Sequence, residues 1–150
     1  MISIAIPKGS LEEQTLLLFK QADLEVRRTE RGYNPTIDDP RISKVKILRP
    51  QEIPEFVEQG YFDLGITGKD WIVERGADVV EVADLRYGKR GNAPVRIVLA
   101  VQHDSGIERP EQMPKNAKIS TEYPNITRRY FEQLAIPVKI FFSYGATEAC

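Results

Sequence analysis

Three short segments hold cations or anions beside glycine and turn residues: Pro7-Lys8-Gly9, Arg49-Pro50 and Thr67-Gly68-Lys69-Asp70. Each follows an apolar stretch and precedes residues with helical spacing. A strand that feeds a helix through such a turn exposes backbone N–H groups at the helix start, where an anion is held. Lys8, Arg49 and Lys69 add full positive charges there, and arginine in particular matches phosphate or carboxylate with two parallel hydrogen bonds. Glycine at 9 and 68 lets a ligand come close to the backbone. Taken singly, each turn also fits an ordinary connection with a solvated side chain or a local Lys69–Asp70 pair. Their shared position, at the carboxyl ends of successive strands, is where open α/β sheets bind ligands.

Further along, Thr121-Glu-Tyr-Pro-Asn125 leads into a helix bearing Arg128 and Arg129, and Gly145-Ala-Thr-Glu148 repeats the strand-to-turn pattern. Thr121 and Asn125 suit a helix start. Tyr123 could stack on a purine or simply pack on its own helix. Glu148 could bind a ribose hydroxyl or a base, or cap a helix. Neighbouring Arg128 and Arg129 diverge by about 100° and do not both face one ligand. The single histidine, His103, and single cysteine, Cys150, leave no Ser-His-Asp or Cys-His set, no internal disulfide and no cysteine metal cluster. An enzyme built from these residues works by positioning and electrostatics.

The elements that must place these residues alternate between strand and helix. Strands are expected at Ile2–Ile6, Lys44–Leu48, Phe62–Thr67, Val79–Ala83, Val95–Val101, Ala117–Thr121 and Pro137–Phe142, with short ones at Glu25–Thr29 and Thr36–Asp39. Phe62–Thr67 is apolar enough to read as buried. Helices are expected at Ser10–Ala22, with Ser10 and Glu13 as a capping box, and at Ile53–Gln59, Asp70–Arg75 and Pro124–Leu134. Gly60 and Gly76 read as helix stops, and Asp104–Asn116 as a loop with one helical turn. The alternation predicts an α/β fold of mostly parallel sheet with flanking helices. The Gly- and cation-rich stretch 86–94 divides it into a first lobe, 1–90, and a second lobe, 91–150, that reads as incomplete.

The 150 residues are 41% hydrophobic and 29% charged, with a formal net charge of −1. That balance supports a packed core and argues against nucleic-acid binding by bulk charge. No apolar run reaches the roughly 20 residues of a membrane span, and the start lacks the form of a signal peptide. A cytoplasmic protein is the expectation.

Five segments in order — Ile4-Ala-Ile-Pro-Lys-Gly9, Arg49-Pro-Gln-Glu-Ile-Pro54, Asp63-Leu-Gly-Ile-Thr-Gly-Lys-Asp70, Thr121-Glu-Tyr-Pro-Asn125 with Thr127-Arg-Arg-Tyr-Phe131, and Gly145-Ala-Thr-Glu148 — resemble the catalytic part of ATP phosphoribosyltransferases. The resemblance implies a two-lobed fold like type II periplasmic binding proteins, with the site between lobes. It implies attack by N1 of ATP on C1 of 5-phosphoribosyl 1-pyrophosphate, with Mg2+ on the departing pyrophosphate, as the first step of histidine biosynthesis. By the same resemblance Lys8 and Arg49 act on phosphates, as the catalytic pair. Gly9, Gly68, Lys69, Asp70, Tyr123 and Glu148 contact substrate. A homo-oligomer is implied, with a regulatory subunit in the family's short form. The family's later acidic strand and Thr-Gly loop, which cradles the 5-phosphate, have no match here. The chain is therefore expected to be a fragment, inactive alone. The competing readings are a two-lobed small-anion binding or sensor domain, and a non-catalytic subunit of an assembly.

Overall fold

A computed structural model describes residues 1–28, 34–87, 96–145 and 147. Their contacts divide the chain into two compact units, Met1–Pro94 and Val95–Cys150.

In the first unit, β1 (Ile2–Pro7) feeds α1 (Glu12–Gln21) through a 3-10 turn at Gly9–Leu11. There follow β2 (Val26–Arg27), β3 (Thr36–Ile37), β4 (Ile42–Leu48), α2 (Ile53–Glu58), β5 (Leu64–Gly65) and α3 (Lys69–Arg75). β4, β1 and β5 form a parallel sheet in that order, and β2 and β3 an antiparallel ribbon. β1 lies centrally, which explains the buried apolar run Ile4–Pro7: a parallel strand covered on both faces has no polar side there. Ile4 and Ile6 point to one face, with Phe19 of α1, Ile37 of β3 and Val45 of β4. Ala5 points to the other, with Ile53 of α2 and Phe62. Fully burying a side chain such as Ile6 contributes about 1.5–3 kcal/mol.

Gly65 shows how closely α2 approaches this sheet. A Cβ there would run into Ile53 Cγ2 and come within 2.8 Å of Val57 Cγ2. Gly60 and Gly76 take left-handed φ of 73° and 61° after α2 and α3, as the helix stops require. Pro54 sits in the first turn of α2.

In the second unit, β6 (Ala117–Thr121) and β7 (Val138–Phe142) pair in parallel around α4 (Pro124–Gln133), whose Phe131 is buried. A 3-10 turn at Pro110–Gln112 supplies the expected helical turn. The α/β class with mostly parallel strands is as the alternation implied.

Several expectations fail. Val79–Ala83 forms no strand, nor do residues 96–101; Val95 lies outside the described residues. Val80, Val82, Ile97 and Val98 are exposed. Apolar β-branched sequence favours a strand only where another strand offers its edge, and neither stretch is paired. β5 shrinks to two residues, with Leu64 exposed and the buried anchor at Phe62 instead. Ser10 makes no cap: it lies within the 3-10 turn, and Glu12 Oε2 accepts the Gly9 N–H at 3.2 Å in place of the Ser10–Glu13 box.

Asp63 ties β5 to β1: its Oδ2 accepts from Ser3 N at 2.7 Å and Ser3 Oγ at 2.6 Å. The Ser3 hydroxyl and then its N–H hold the Asp63 carboxyl below the usual range. Its contribution to stability is therefore full above about pH 4 and is lost as pH falls through the depressed value. In urea titrations from pH 6 to 3, the gap between wild type and Asp63→Ala should narrow as the pH drops; a constant gap would refute the linkage. Gly65→Ala should destabilise by about 1–3 kcal/mol, because α2 must move off the sheet; an unchanged urea midpoint would show that α2 yields freely.

Candidate functional site

The register of the first sheet fixes which turns meet. Pro7 pairs with Leu48 and Ala5 with Gly65. The residues that follow leave neighbouring strands about 4.8 Å apart. Lys8 N donates to Leu48 O at 2.7 Å, and Ile66 N to Ala5 O at 3.0 Å. Lys8-Gly9, Arg49-Pro50 and Thr67–Asp70 therefore occupy one edge of the β4-β1-β5 sheet. Lys8, Arg49 and Lys69 are exposed there.

Hydrogen bonds lock this edge. Thr67 Oγ1 donates to Pro50 O at 2.7 Å, and Arg75 Nε from α3 donates to Gln51 O at 3.0 Å. Gln51 Oε1 is buried without a hydrogen-bond partner among the described residues, an acceptor that calls for a donor. Gly9 takes φ of 84°, a conformation that favours glycine. Its amide goes to Glu12, which also forms an ion pair with Arg28.

The Gly-Lys-Asp turn differs from the simple expectation in two ways. Gly68 has an ordinary φ of −73°; the space a Cβ at 68 would take is held by the Asp70 carboxylate, through its Oδ1. Lys69 Nζ pairs not with Asp70 but with Glu81, at 3.0 Å to Oε2 and 3.3 Å to Oε1.

The second unit carries its own cluster at the carboxyl ends of β6 and β7. Thr121, buried, accepts through Oγ1 from Tyr123 N at 3.0 Å and Thr127 Oγ1 at 3.2 Å. Thr121 thus tethers the start of α4, whose N-cap is half-buried Tyr123 and not Asn125. Asn125 instead accepts from both arginines, Arg128 Nη1 at its side chain (2.9 Å) and Arg129 Nε at its carbonyl (3.4 Å). Ser143 N donates to Thr121 O at 2.9 Å, and Ser143 Oγ shares a hydrogen bond with Thr147 Oγ1 at 2.8 Å. Gly145 has φ of 109°, and a Cβ there would sit 3.3 Å from Glu122 Oε1. Glu148 lies outside the described residues. His103 is exposed.

Sequence reasoning missed Glu12, Gln51, Glu81 and Glu122. Glu12 was one residue from the proposed capping acid, whereas nothing local in the sequence ties Glu81 to Lys69.

A family profile described as HisG, ATP phosphoribosyltransferase, matches residues 49–150. The chain belongs to the ATP phosphoribosyltransferase family. The ATP phosphoribosyltransferase of Nitratidesulfovibrio vulgaris (strain DSM 19637 / Miyazaki F) is 51% identical over 149 residues, covering 99% of this chain and 50% of that protein. That of Thermodesulfovibrio yellowstonii is 47% identical over 148 residues, again covering 99% and 50%. Among solved structures, a chain of the ATP phosphoribosyl transferase (HisG:HisZ) complex from Thermotoga maritima superposes with a TM-score of 0.76 at 26% identity, over 99% of this chain and 66% of that one. The chain thus spans about half the length of the curated relatives it matches.

Gly68→Ala should displace the Asp70 carboxylate, a flexible group, and leave the unfolding free energy within about 0.5 kcal/mol of wild type. Amide shifts should move at Asp70 and Trp71. A large stability loss with no such local shift would refute this packing.

Proposed function

We propose that these residues serve phosphoribosyl transfer from 5-phosphoribosyl 1-pyrophosphate to N1 of ATP, giving phosphoribosyl-ATP and pyrophosphate at the head of histidine biosynthesis. The observation that carries the reading is the common sheet edge of Lys8, Arg49 and Gly68–Asp70, in a chain of this family. The adenine N1 lone pair forms the new bond to C1 of the ribose. The C1–O bond breaks, and pyrophosphate leaves with its electron pair. No protein nucleophile is needed, which agrees with a sequence without a catalytic triad. The task left to the chain is to align two polyanions and offset charge on the leaving group. Lys8 and Arg49 face phosphates in this proposal, and Gly9, Gly68, Lys69 and Asp70 contact substrate. Tyr123 lies beside the adenine and Glu148 holds substrate groups.

Mg2+ carried by the pyrophosphate would supply charge neutralisation for the leaving group. Among the described residues no three His, Cys, Asp or Glu side chains converge as a cation site, so no step is assigned to a metal held by this chain. The two-lobed architecture of type II periplasmic binding proteins belongs to the same proposal, supported by the division into two compact units. So do a homo-oligomeric assembly and a regulatory subunit; the similar Thermotoga maritima chain comes from a HisG:HisZ complex. A cytoplasmic location follows from the biosynthetic role proposed; no helix among the described residues is long and apolar enough to cross a membrane.

Thermal unfolding with ATP, AMP and 5-phosphoribosyl 1-pyrophosphate tests the reading, since a ligand at about 100 times its Kd stabilises by about 2.7 kcal/mol. Lys8→Gln and Arg49→Gln should each weaken phosphate-ligand affinity about tenfold or more, the loss of a hydrogen bond to a charged group. Unchanged affinity in both variants would refute their role. Stabilisation by an unrelated metabolite alone would favour the anion-sensor reading.

A further inference from the structure

Lys69 is the cation of the Gly-Lys-Asp turn, yet it is already matched. Both oxygens of Glu81 lie within 3.3 Å of its Nζ. A second carboxylate, Asp84, is close enough for Lys69 to help lower its pKa, behind the larger effects of the Arg86 N–H and guanidinium. Arg86 occupies Asp84, through Nε to Oδ2 at 3.1 Å, so Glu81 is the carboxylate hydrogen-bonded to Lys69.

The segment that carries Glu81 is held in place at its far end. Thr15, fully buried in α1, donates its single hydroxyl proton to Leu11 O at 2.6 Å and so accepts from Tyr87, whose hydroxyl is 2.6 Å away. Burial raises the Tyr87 pKa, which keeps that donor protonated. Residues 81–87 thus run from the turn after β5, at Lys69, to the first turn of α1, at Thr15. Without backbone pairing among the described residues, they are attached there by these side chains.

We propose that Glu81 is the resident counter-ion of Lys69, occupying the lysine until a phosphate of the ligand replaces the carboxylate. This rests on the nucleotide reading of the site. Glu81 is therefore a positioning residue: it keeps Lys69 at the turn in the empty state, and it sets the affinity for polyphosphate by competing for the same ammonium. A carboxylate and a phosphate cannot both sit at one Nζ without repulsion, so the exchange displaces Glu81. It also loosens the segment from the turn while Tyr87 still anchors it to α1.

The test uses the whole 150-residue chain. Glu81→Gln removes the charge with little change of shape. An exposed pair of this kind couples weakly, so ATP and inorganic pyrophosphate should bind about two- to fivefold more tightly to Glu81→Gln at low salt, by calorimetry. The gain should shrink at high salt. It should vanish when Glu81→Gln is made on a Lys69→Gln background, which a merely structural role for Glu81 would not produce. Independently of any ligand, Lys69 should be acylated faster in Glu81→Gln, read by peptide mass spectrometry. If wild type binds ATP but Glu81→Gln binds it equally or more weakly, the counter-ion proposal is overturned while the nucleotide reading stands. If neither protein binds ATP or pyrophosphate, both fall. A gain that persists without Lys69 would also overturn the proposal, because Glu81 would then act on another group.

Discussion

Pairing of β1 on both of its edges is the constraint from which the first unit follows. Ile4, Ala5 and Ile6 are buried because β4 and β5 take the two backbone edges while α1 and α2 take the two faces. Once that strand is fixed, parallel register leaves no choice about where the three turns emerge. A slip of one residue would exchange Ile4 and Ile6 with Ala5 and place large side chains where α2 has room only for a methyl. The same apolar alternation that builds the core therefore aligns Lys8 with Arg49.

Hydrogen bonds to backbone carbonyls hold the turns of the edge together. Backbone groups and Thr67 hold the loops together, and Arg75 rather than Arg49 grips the Gln51 carbonyl. Arg49 and Lys8 are exposed at that edge. In the second unit the pattern differs. There the hydroxyls of Thr121, Thr127, Ser143 and Thr147 knit the strand ends, and both arginines of α4 fold back on Asn125. Their charge meets the start of their own helix.

The first strand, the stop glycines, α2 with its proline and the β6-α4-β7 unit were legible because each depends on local pattern: period, turn residue or helix start. So was the shared edge of Lys8, Arg49 and Gly68–Asp70, a consequence of strand order. Two failures are local, the Ser10–Glu13 cap and Asn125 as a helix cap; the larger ones are non-local. Val79–Ala83 and residues 96–101 have strong strand composition, but a strand is a relation between two segments, and composition cannot supply the second. The Lys69–Glu81 pair spans twelve residues and depends on where an irregular segment lies. Gly68 was singled out as a place where a ligand could approach the backbone; the space it frees is taken by Asp70.

The unpaired apolar stretches have a colloidal consequence. Val80 and Val82 are 86% and 79% exposed, and Ile97 and Val98 51% and 67%. The chain that displays them carries a formal charge of only −1 and has an isoelectric point near 5.9. Little electrostatic repulsion is then available to keep copies apart as these β-prone surfaces meet. Solubility of the isolated 150 residues is thus governed by the same valines that fail to find a strand, and it is poorest in mildly acidic buffer, where the remaining net charge disappears.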